Sequence, residues 1–270
     1  MSFQLVDQIT CIRPGERAEG IHRPSFPTEV LPLGLLVEAV GQLASWTAMP
    51  QLKFDYRPVA ASAGLVEVFR VPRAGMPIEI EVKVTSIRHQ AISYQGSANC
   101  DGEVCLTLQR AIGPLLPIEE FDDKARIENL YELLCGAGIP PRPPVVPEDY
   151  EPEITCQPVI AGEGFSASFR LPSESAIYAD HFPRQPVFPA TLLLQTQIDA
   201  TRRAYAAHAD GSLPEIIKVS GVKIRAFSGP GEELDFRVKE LDGADGELAF
   251  RLETWRGDTR VSAASLYLRK

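Results

Sequence analysis

The chain has few cysteines, and they form no pattern that would hold a metal. Its 270 residues include five cysteines, and none forms a CxxC pair with another. Such pairs are typical of zinc sites and redox centres, so the sequence predicts neither a metal site nor a disulfide framework. A scattered, odd number of cysteines is typical of free thiols in a reducing compartment. The five are Cys11, Cys100, Cys105, Cys135 and Cys156.

A long hydrophobic run and a targeting segment are also missing from the sequence. The most apolar window, residues 30–49, contains Pro32, Glu38 and Gln42, which favours a buried core helix over a membrane span. The first residues, Met-Ser-Phe-Gln-Leu-Val-Asp, show no basic region followed by an apolar run, so we expect no signal peptide. These observations predict a cytoplasmic protein without a membrane partner.

Positive charge is in the minority. Lysine and arginine total 27 against 36 aspartate and glutamate residues, which gives a formal net charge of −9. A negative field repels phosphate groups, so nucleic acid and anionic membrane surfaces are not expected as main partners. The hydrophobic fraction of 44% is ordinary for a globular protein, and the length favours two domains or one large one.

One stretch in the second half combines a histidine with a rigid loop, His181-Phe-Pro-Arg-Gln-Pro-Val-Phe-Pro189. Its three prolines fix φ at about −65° and remove three backbone donors. The apolar residues that follow, 190–200, have the pattern of a buried helix whose first N–H groups would face back towards His181. A base that titrates near neutral pH beside the positive end of a helix is suited to forming and stabilising an enolate.

This stretch resembles the active-site signature of the β-hydroxyacyl-acyl carrier protein dehydratases of the hot-dog fold. Their pattern is His-Phe-Pro-Gly-x-Pro-x-x-Pro-Gly, followed by a long apolar helix with an acidic residue. Arg184 and Ala190 stand where the family has glycine, and Gln195 stands where it has the acid. The second half therefore has the base of such a site without its acid. The matching residues are His181, Phe182, Pro183, Pro186, Val187, Phe188 and Pro189.

The first half repeats this design with the opposite deficiency. A proline-containing loop at residues 24–32 precedes an apolar segment, 33–49, that we predict as a helix. Within this segment, Glu38-Ala-Val-Gly-Gln42 resembles the Glu-Ala-x-x-Gln helix motif of the same family. In the register of that motif, Pro24 stands where the family has its histidine. Each half thus lacks the catalytic group that the other half has.

Runs of alternating or β-branched residues follow each predicted helix and indicate strands. One helix with about five strands, present twice, predicts two similar units at residues 1–112 and 149–270. Residues 113–148 are predicted to link them, with a helix at 118–135 and an extended polyproline segment at 140–147. The predicted strands lie at residues 65–71, 78–87, 90–98, 103–112, 219–227, 233–241, 246–255 and 260–268.

The resemblance implies an α+β fold, a tandem (double) hot-dog in which each unit is an antiparallel sheet wrapped around a long central helix. In the hot-dog dehydratases two units pair, and each site takes its histidine from one unit and its acid from the other. His181 and Glu38 would then share one composite site, and the counterpart site, with Pro24 and Gln195, would be inactive. The chain would be a pseudo-dimer in itself, and a further homo-oligomer is left open.

The activity implied by the resemblance is dehydration of a 3-hydroxyacyl thioester, carried by acyl carrier protein or coenzyme A. Neutral His181 would remove the C2 proton, the Ala190 amide would hold the thioester oxygen, and a buried, protonated Glu38 would protonate the departing hydroxyl. This chemistry requires no metal and no cofactor. The expected substrate-binding residues are Ala190, Phe188, Val187 and Gln42.

Two other functions remain open on sequence grounds. The hot-dog fold also serves acyl-CoA thioesterases, and the substitutions at Gln195 and Arg184 are compatible with a non-catalytic acyl-binding protein. Asp199, one helix turn after Gln195, is a second candidate for the acid. If the carrier is an acidic protein, its docking would need a local basic patch, for which Arg184, Lys223 and Arg225 are the candidates. His22, His89 and His208 are expected at the surface.

Overall fold

The architecture is taken from a computed structural model that describes residues 3–24, 31–73, 75–88, 90–140, 152–156, 164–209, 211–244 and 246–270. The first half contains strands β1 (Gln8–Arg13) and β2 (Arg17–His22), helix α1 (Leu33–Ala48), and strands β3 (Tyr56–Pro58), β4 (Ser62–Val68), β5 (Ile78–Arg88), β6 (Ala91–Cys100) and β7 (Glu103–Pro117). The second half contains β8 (Glu153–Cys156), β9 (Phe165–Arg170), α3 (Ala176–His181), α4 (Ala190–His208), β10 (Glu215–Ile224), β11 (Glu233–Leu241), β12 (Glu247–Arg256) and β13 (Thr259–Arg269).

The strands of both halves join one antiparallel sheet whose order is symmetric about its middle. The order is β1-β2-β5-β6-β7-β4-β10-β13-β12-β11-β9-β8, and β3 pairs separately with β7. Reading outwards from the centre, each strand of the first half in this order has an equivalent in the second, and β3 stands outside the symmetry of the described strands. The two central strands, β4 and β10, pair antiparallel with Val66 opposite Val219. The repeat in the sequence is therefore a structural repeat, related by a pseudo-two-fold axis between these strands.

Alternation along the strands explains which face of the sheet meets the helices. In β5, Ile78, Ile80 and Val82 are buried while Glu79 and Glu81 are exposed. Side chains of a strand alternate between its faces, so this pattern directs one face to the core and the other to solvent. Helix α1 packs across the buried face of the first half. Helix α4 packs against β12 and β13, where the buried Gln197 amide donates to the Thr254 and Ser262 hydroxyls.

The two long helices contact each other at a glycine. Gly34 lies in the first turn of α1, and a Cβ atom built on it would lie 2.5 Å from the Thr191 carbonyl oxygen of α4. Such a separation is too short for any non-bonded carbon and oxygen, so this close approach requires glycine. The Gly34 amide donates to Gln195 Oε1 across the same contact (2.8 Å). Leucines 33, 36, 192 and 193 continue the core from one half into the other.

The segment between the halves is structured where it is described. Strand β7 extends beyond its predicted end at residue 112 and ends at Pro117. A 3₁₀ turn then covers Ile118–Glu120, and helix α2 spans Lys124–Cys135. The helix begins later than the periodicity predicts because Asp123 caps it, accepting from the Arg126 amide (3.0 Å). Most of the predicted polyproline segment, from residue 141, lies outside the described residues. Among the described helices, none is long and apolar enough to cross a bilayer.

Replacing Gly34 by alanine should destabilise the protein, because the added methyl collides with the Thr191 carbonyl and forces α1 and α4 apart. We expect a loss of about 1–3 kcal/mol in the free energy of unfolding, the usual cost of overpacking a core. Chemical denaturation measures it. Gly41→Ala on the same helix is the matched control, since its Cβ would meet only the Tyr94 hydroxyl, at 3.5 Å. Equal stability of the two variants would contradict the assigned helix contact.

Candidate active site

A cavity of about 80 Å³ lies between the halves, and both contribute to its wall. The first half supplies residues of α1, β3 and β6. The second half supplies the end of α3, the proline-rich loop, the start of α4, and the end of β10 with the residues after it. All six residues predicted for the site line this cavity, namely Glu38, Gln42, His181, Val187, Phe188 and Ala190.

His181 is the last residue of α3, a short helix that the sequence did not predict. Its Nδ1 lies 3.1 Å from the Val187 carbonyl oxygen. A carbonyl can only accept, so Nδ1 carries a proton in this contact, and the neutral ring leaves Nε2 free to act as a base. That Nε2 lies 3.9 Å from Glu38 Oε1. The structure thus brings together the two groups that the sequence separates by more than half of the chain.

The surroundings of His181 favour its neutral form. Only 10% of the side chain is exposed, and this partial burial lowers the pKa of the imidazole below its usual 6.5. Glu38 opposes the effect by its charge, whereas the Arg57 guanidinium adds to it. The ring also packs against Phe182, with centroids 4.0 Å apart, and against the edge of Phe3 at 5.3 Å. A pKa lowered below 6.5 leaves the imidazole mainly unprotonated at pH 7, as a base requires.

Glu38 is held by residues from both halves. The Thr191 hydroxyl on α4 donates to Glu38 Oε2 (2.8 Å), and the Gln42 amide, one turn along α1, donates to Oε1 (3.1 Å). Gln42 uses its remaining groups to hold the N-terminal segment, because Nε2 also donates to the Phe3 carbonyl and Oε1 accepts from the Leu5 amide. Gln42 therefore orients both the carboxyl group and the segment whose Phe3 ring packs on His181.

The start of α4 presents backbone donors to the same cavity. Ala190 is the first residue of the helix, and no side chain of the described residues caps it at Pro189. First-turn N–H groups that lack a cap are available to an anion, and the helix dipole reinforces them. The preceding loop is fixed because the Phe188 amide donates to the Ser228 carbonyl (2.8 Å). The Ser228 hydroxyl is buried, lines the cavity and has no partner among the described residues.

The equivalent positions in the other half-site are engaged differently. Gln195, which corresponds to Glu38, accepts from the Gly34 amide and donates to Asp199 Oδ2 (2.8 Å). Burial raises the pKa of Asp199, while Gln195 and Arg202 oppose that rise. Asp199 lines a separate cavity with Gln195 and Arg202, away from His181. It is therefore not in a position to serve as the acid for His181.

Several residues of the site carry no signal in the sequence. Arg57 on β3 lines the cavity, and Phe121, between the 3₁₀ turn and α2, packs against Phe182 with ring centroids 4.7 Å apart. Thr191 stands close to the proline-rich loop in the sequence. A hydroxyl near the start of a helix can hydrogen-bond an acid, so sequence reasoning could have found this residue. Arg57 and Phe121 come from segments without a motif, so nothing short of the tertiary structure identifies them.

The expectation that His22 lies at the surface is wrong. It ends β2 with 3% exposure, and its Nδ1 lies 3.2 Å from Asp7 Oδ2. The buried carboxylate supplies the partner that a buried imidazole needs, which a lone histidine in a sequence does not reveal. His89 and the side chain of His208 lie outside the described residues.

Comparison with known families points to dehydratases. Residues 159–264 match the ApeI-like family, described as ApeI dehydratase. The 3-hydroxyacyl-acyl-carrier-protein dehydratase FabZ of Teredinibacter turnerae is 28% identical over 93 residues, which are 33% of this chain and 64% of that protein. FabZ of Vibrio campbellii is 31% identical over 78 residues, or 27% of this chain and 52% of that protein. The matches thus span between half and two thirds of these relatives.

Solved structures with the same architecture cover nearly the whole chain. The acyl-CoA thioesterase II TesB2 of Mycobacterium marinum superposes with a TM-score of 0.60 at 13% identity, over 100% of this chain and 98% of its own. A MaoC-like dehydratase gives a TM-score of 0.55 at 13% identity, over 87% and 83% of the two chains. These likenesses confirm the expected fold. The chain is a tandem hot-dog protein that resembles the β-hydroxyacyl-acyl carrier protein dehydratases.

Proposed function

We propose that this protein removes water from a 3-hydroxyacyl thioester at one composite site, with His181 as base and Glu38 as acid. The observation that carries the proposal is the 3.9 Å separation of His181 Nε2 and Glu38 Oε1 across a cavity between the two units. A base and an acid at this separation can act on adjacent carbon atoms of one acyl chain. The similarity to 3-hydroxyacyl-acyl-carrier-protein dehydratases supports the same reaction.

In the first step, His181 Nε2 takes the proton from C2 of the substrate. The electron pair of the broken C–H bond moves towards the thioester carbonyl, whose oxygen becomes negative. The Ala190 N–H at the start of α4 would donate to this oxygen, and the helix dipole would stabilise its charge. The Val187 carbonyl stabilises the imidazolium that forms, because it continues to accept from Nδ1.

In the second step, the electron pair returns to form the double bond between C2 and C3, and the C3–O bond breaks. Glu38 gives its proton to the departing hydroxyl, which leaves as water. The site then holds a protonated imidazole beside an ionised carboxylate. Transfer of one proton from His181 to Glu38 restores the starting state, and the short separation between the two groups suits that transfer. Thr191 and Gln42 hold the carboxyl group throughout.

Thioester hydrolysis is the second candidate, because acyl-CoA thioesterases share the whole fold. Hydrolysis would require the base to activate a water molecule at the thioester carbon, with no role for an acid at C3. Incubation with a 3-hydroxyacyl thioester separates the functions by product. An enoyl thioester, followed by its ultraviolet absorbance, supports dehydration, whereas free thiol and hydroxy acid support hydrolysis. Substrate binding without turnover would support a non-catalytic acyl-binding protein.

Loss of either reacting group should nearly abolish turnover. His181→Ala and Glu38→Gln should each lower kcat by about two or more orders of magnitude, the usual scale for a positioned base or acid. Steady-state kinetics on a 3-hydroxyacyl thioester measures this effect. Gln195→Glu is the matched control in the counterpart half-site. It should leave kcat almost unchanged but lower the thermal stability, because the new carboxylate would face Asp199. Full activity of Glu38→Gln would disprove the assignment of the acid.

Thr191→Val should reduce kcat by about tenfold while leaving KM almost unchanged. The change removes the hydroxyl that donates to Glu38 Oε2, and a hydrogen bond to a charged group, here the carboxylate formed when Glu38 gives up its proton, is worth about 1.5–3 kcal/mol. Thr196→Val on the same helix is the control, since within the described part of the chain its hydroxyl donates to the Leu192 carbonyl of its own helix and to no other group. Equal kinetics for the two variants would show that Thr191 does not hold the acid.

A carrier-protein substrate should depend on the cations beside the cavity. Lys223 and Arg225 are exposed and alternate with Ile224 and Ala226, which line the cavity. Lys223→Glu with Arg225→Glu should raise KM for an acyl carrier protein substrate about tenfold or more, because an acidic partner would meet negative charge. The same acyl group on coenzyme A should show a smaller change.

Lys83→Glu, on the outer face of β5, is the control for net charge. An unchanged KM in the double variant would remove this surface as the carrier site. Arg184 is less suitable for the experiment, because it already donates to the Glu119 carbonyl and pairs with Asp123.

A further inference from the structure

A largely enclosed arginine stands in the wall of the candidate active site without a role in the chemistry described above. Arg57 on β3 lines the cavity, and only 16% of its side chain is exposed. Its guanidinium lies 4.6 Å from the centroid of the Phe182 ring, the ring that also packs on His181. A charge this far from solvent is costly unless other groups compensate for it.

The only carboxylate that pairs with Arg57 among the described residues is shared with a second cation. Asp122, which is 1% exposed, lies 3.9 Å from Arg57 through Oδ2. The same carboxylate accepts from both Nε and Nη2 of Arg126. The contact to Arg57 is longer than a hydrogen bond, so Asp122 only partly balances it. Burial lowers the pKa of Arg57 to about 10, which still leaves the guanidinium charged at neutral pH.

The charges that act on the reacting pair come from every element around it. Within the described lining, the titratable side chains are Glu38 on α1, Arg57 on β3, Tyr94 on β6 and His181 on α3. Burial and the nearby Glu38 raise the pKa of Tyr94, so it remains neutral. Behind this wall stand the paired Asp122 and Arg126, and Asp180, whose carboxylate accepts from the Phe3 amide. Arg57 is therefore the one permanent cation in the described lining.

Dehydration requires one proton to be present on the pair, on Glu38, while His181 has none. When both groups are protonated, His181 cannot accept the C2 proton. When neither is protonated, Glu38 has no proton to give to the departing hydroxyl. The charge of Glu38 acts on His181, so the protonation of His181 depends on both groups and on the charges around them. A fixed positive charge nearby disfavours each added proton, and a fixed negative charge favours it.

We propose that Arg57 is a positioning residue for the dehydration proposed above. Held in the cavity wall by Asp122 and the Phe182 ring, it is the cation that sets the pH range in which the His181–Glu38 pair holds a single proton. The segment between the two units thereby takes part in the site, since Asp122 belongs to it. The inference rests on the proposed function for its catalytic meaning, but its electrostatic part can be measured without turnover.

Titration of His181 by NMR, in the full chain with ¹³C-labelled histidine, tests the electrostatic part directly. The chain has four histidines, and His181→Gln identifies the resonance. In the unmodified protein the transition should lie below pH 6.5. Arg57→Met should raise it by about one pH unit, because a nearby cation has been removed. Arg57→Lys should stay close to the unmodified protein.

Two further variants test the direction of the electrostatic effect and control for the change in net charge. Asp122→Asn removes a negative charge and should shift the His181 transition downwards, opposite to Arg57→Met. Lys124→Met removes a partly exposed cation that pairs with Asp55. It changes the net charge by the same amount as Arg57→Met and should leave the His181 transition in place. Thermal unfolding checks that each variant is folded. If the buried Asp122 variant fails this check, the comparison of methionine and lysine at position 57 still decides.

The pH profile of kcat/KM links the effect to catalysis. Both limbs should move to higher pH in Arg57→Met, so that activity one unit below the original acid limb falls about tenfold further. A rise in KM with both limbs unmoved would overturn the proposal in favour of substrate binding by Arg57. An unchanged His181 transition in Arg57→Met would overturn it as well. If no thioester is dehydrated by the unmodified protein, the proposed function fails, while the NMR titration still decides whether Arg57 acts on the pair.

Discussion

The crossing of α1 and α4 is the contact on which the candidate site depends. The helices approach closely because residue 34 is glycine, and the carbonyl of Thr191 occupies the space that a side chain would need. At this distance a side chain of either helix reaches the other. Thr191 thus donates to Glu38, and Gln195 accepts from Gly34. A wider crossing would separate Glu38 from the helix that carries the expected oxyanion donor, since Ala190 lies only one residue before Thr191.

The pseudo-two-fold axis uses the same contact for two purposes. Thr191 and Gly34 are equivalent in the repeat, as are Glu38 and Gln195. On one side a hydroxyl holds a carboxyl group that faces the histidine, and on the other an amide side chain occupies the backbone donor at the start of α1. That second bond ties the helix end to the opposite unit, and the Gln195 amide, which cannot give up a proton as a carboxylic acid does, stands at the position that corresponds to Glu38. Under the proposed function this half-site carries no chemistry, so its groups need only satisfy one another.

Much of the fold could be predicted from the sequence because it is repeated and regular. Alternation along residues 78–87 predicted a strand that the structure gives as Ile78–Arg88, and the apolar segment 33–49 is helix α1 to within one residue. Local periodicity does not report pairing between distant strands, so the single sheet joined at β4 and β10 was not foreseen. Helix α3 was missed because six residues are too few for a periodic pattern, although Ser175 caps it through the Ile177 amide.

For the site, the sequence identified the residues that belong to motifs and missed those that act through space. His181 and Glu38 followed from resemblance and complementary gaps in the repeat. His22 was misjudged because its partner Asp7, on a neighbouring segment, is visible only after folding. Arg57 and Asp122 lie outside every motif, one on a three-residue strand and the other before α2.

The segment between the two units therefore has more than a connecting role in the described structure. Phe121 packs on Phe182 and Phe227, and the Phe121 carbonyl accepts from the Arg184 amide of the proline-rich loop (3.0 Å). The carboxylate of the neighbouring Asp122 partly balances the positive charge of Arg57. The histidine loop is thus fixed on one side by the connecting segment and on the other by Ser228. Two separate subunits would have no such connecting segment. Joining the units in one chain therefore adds this segment to the wall of one of the two half-sites. The asymmetry of the proposed catalytic residues and the asymmetry of the connection consequently favour the same half-site.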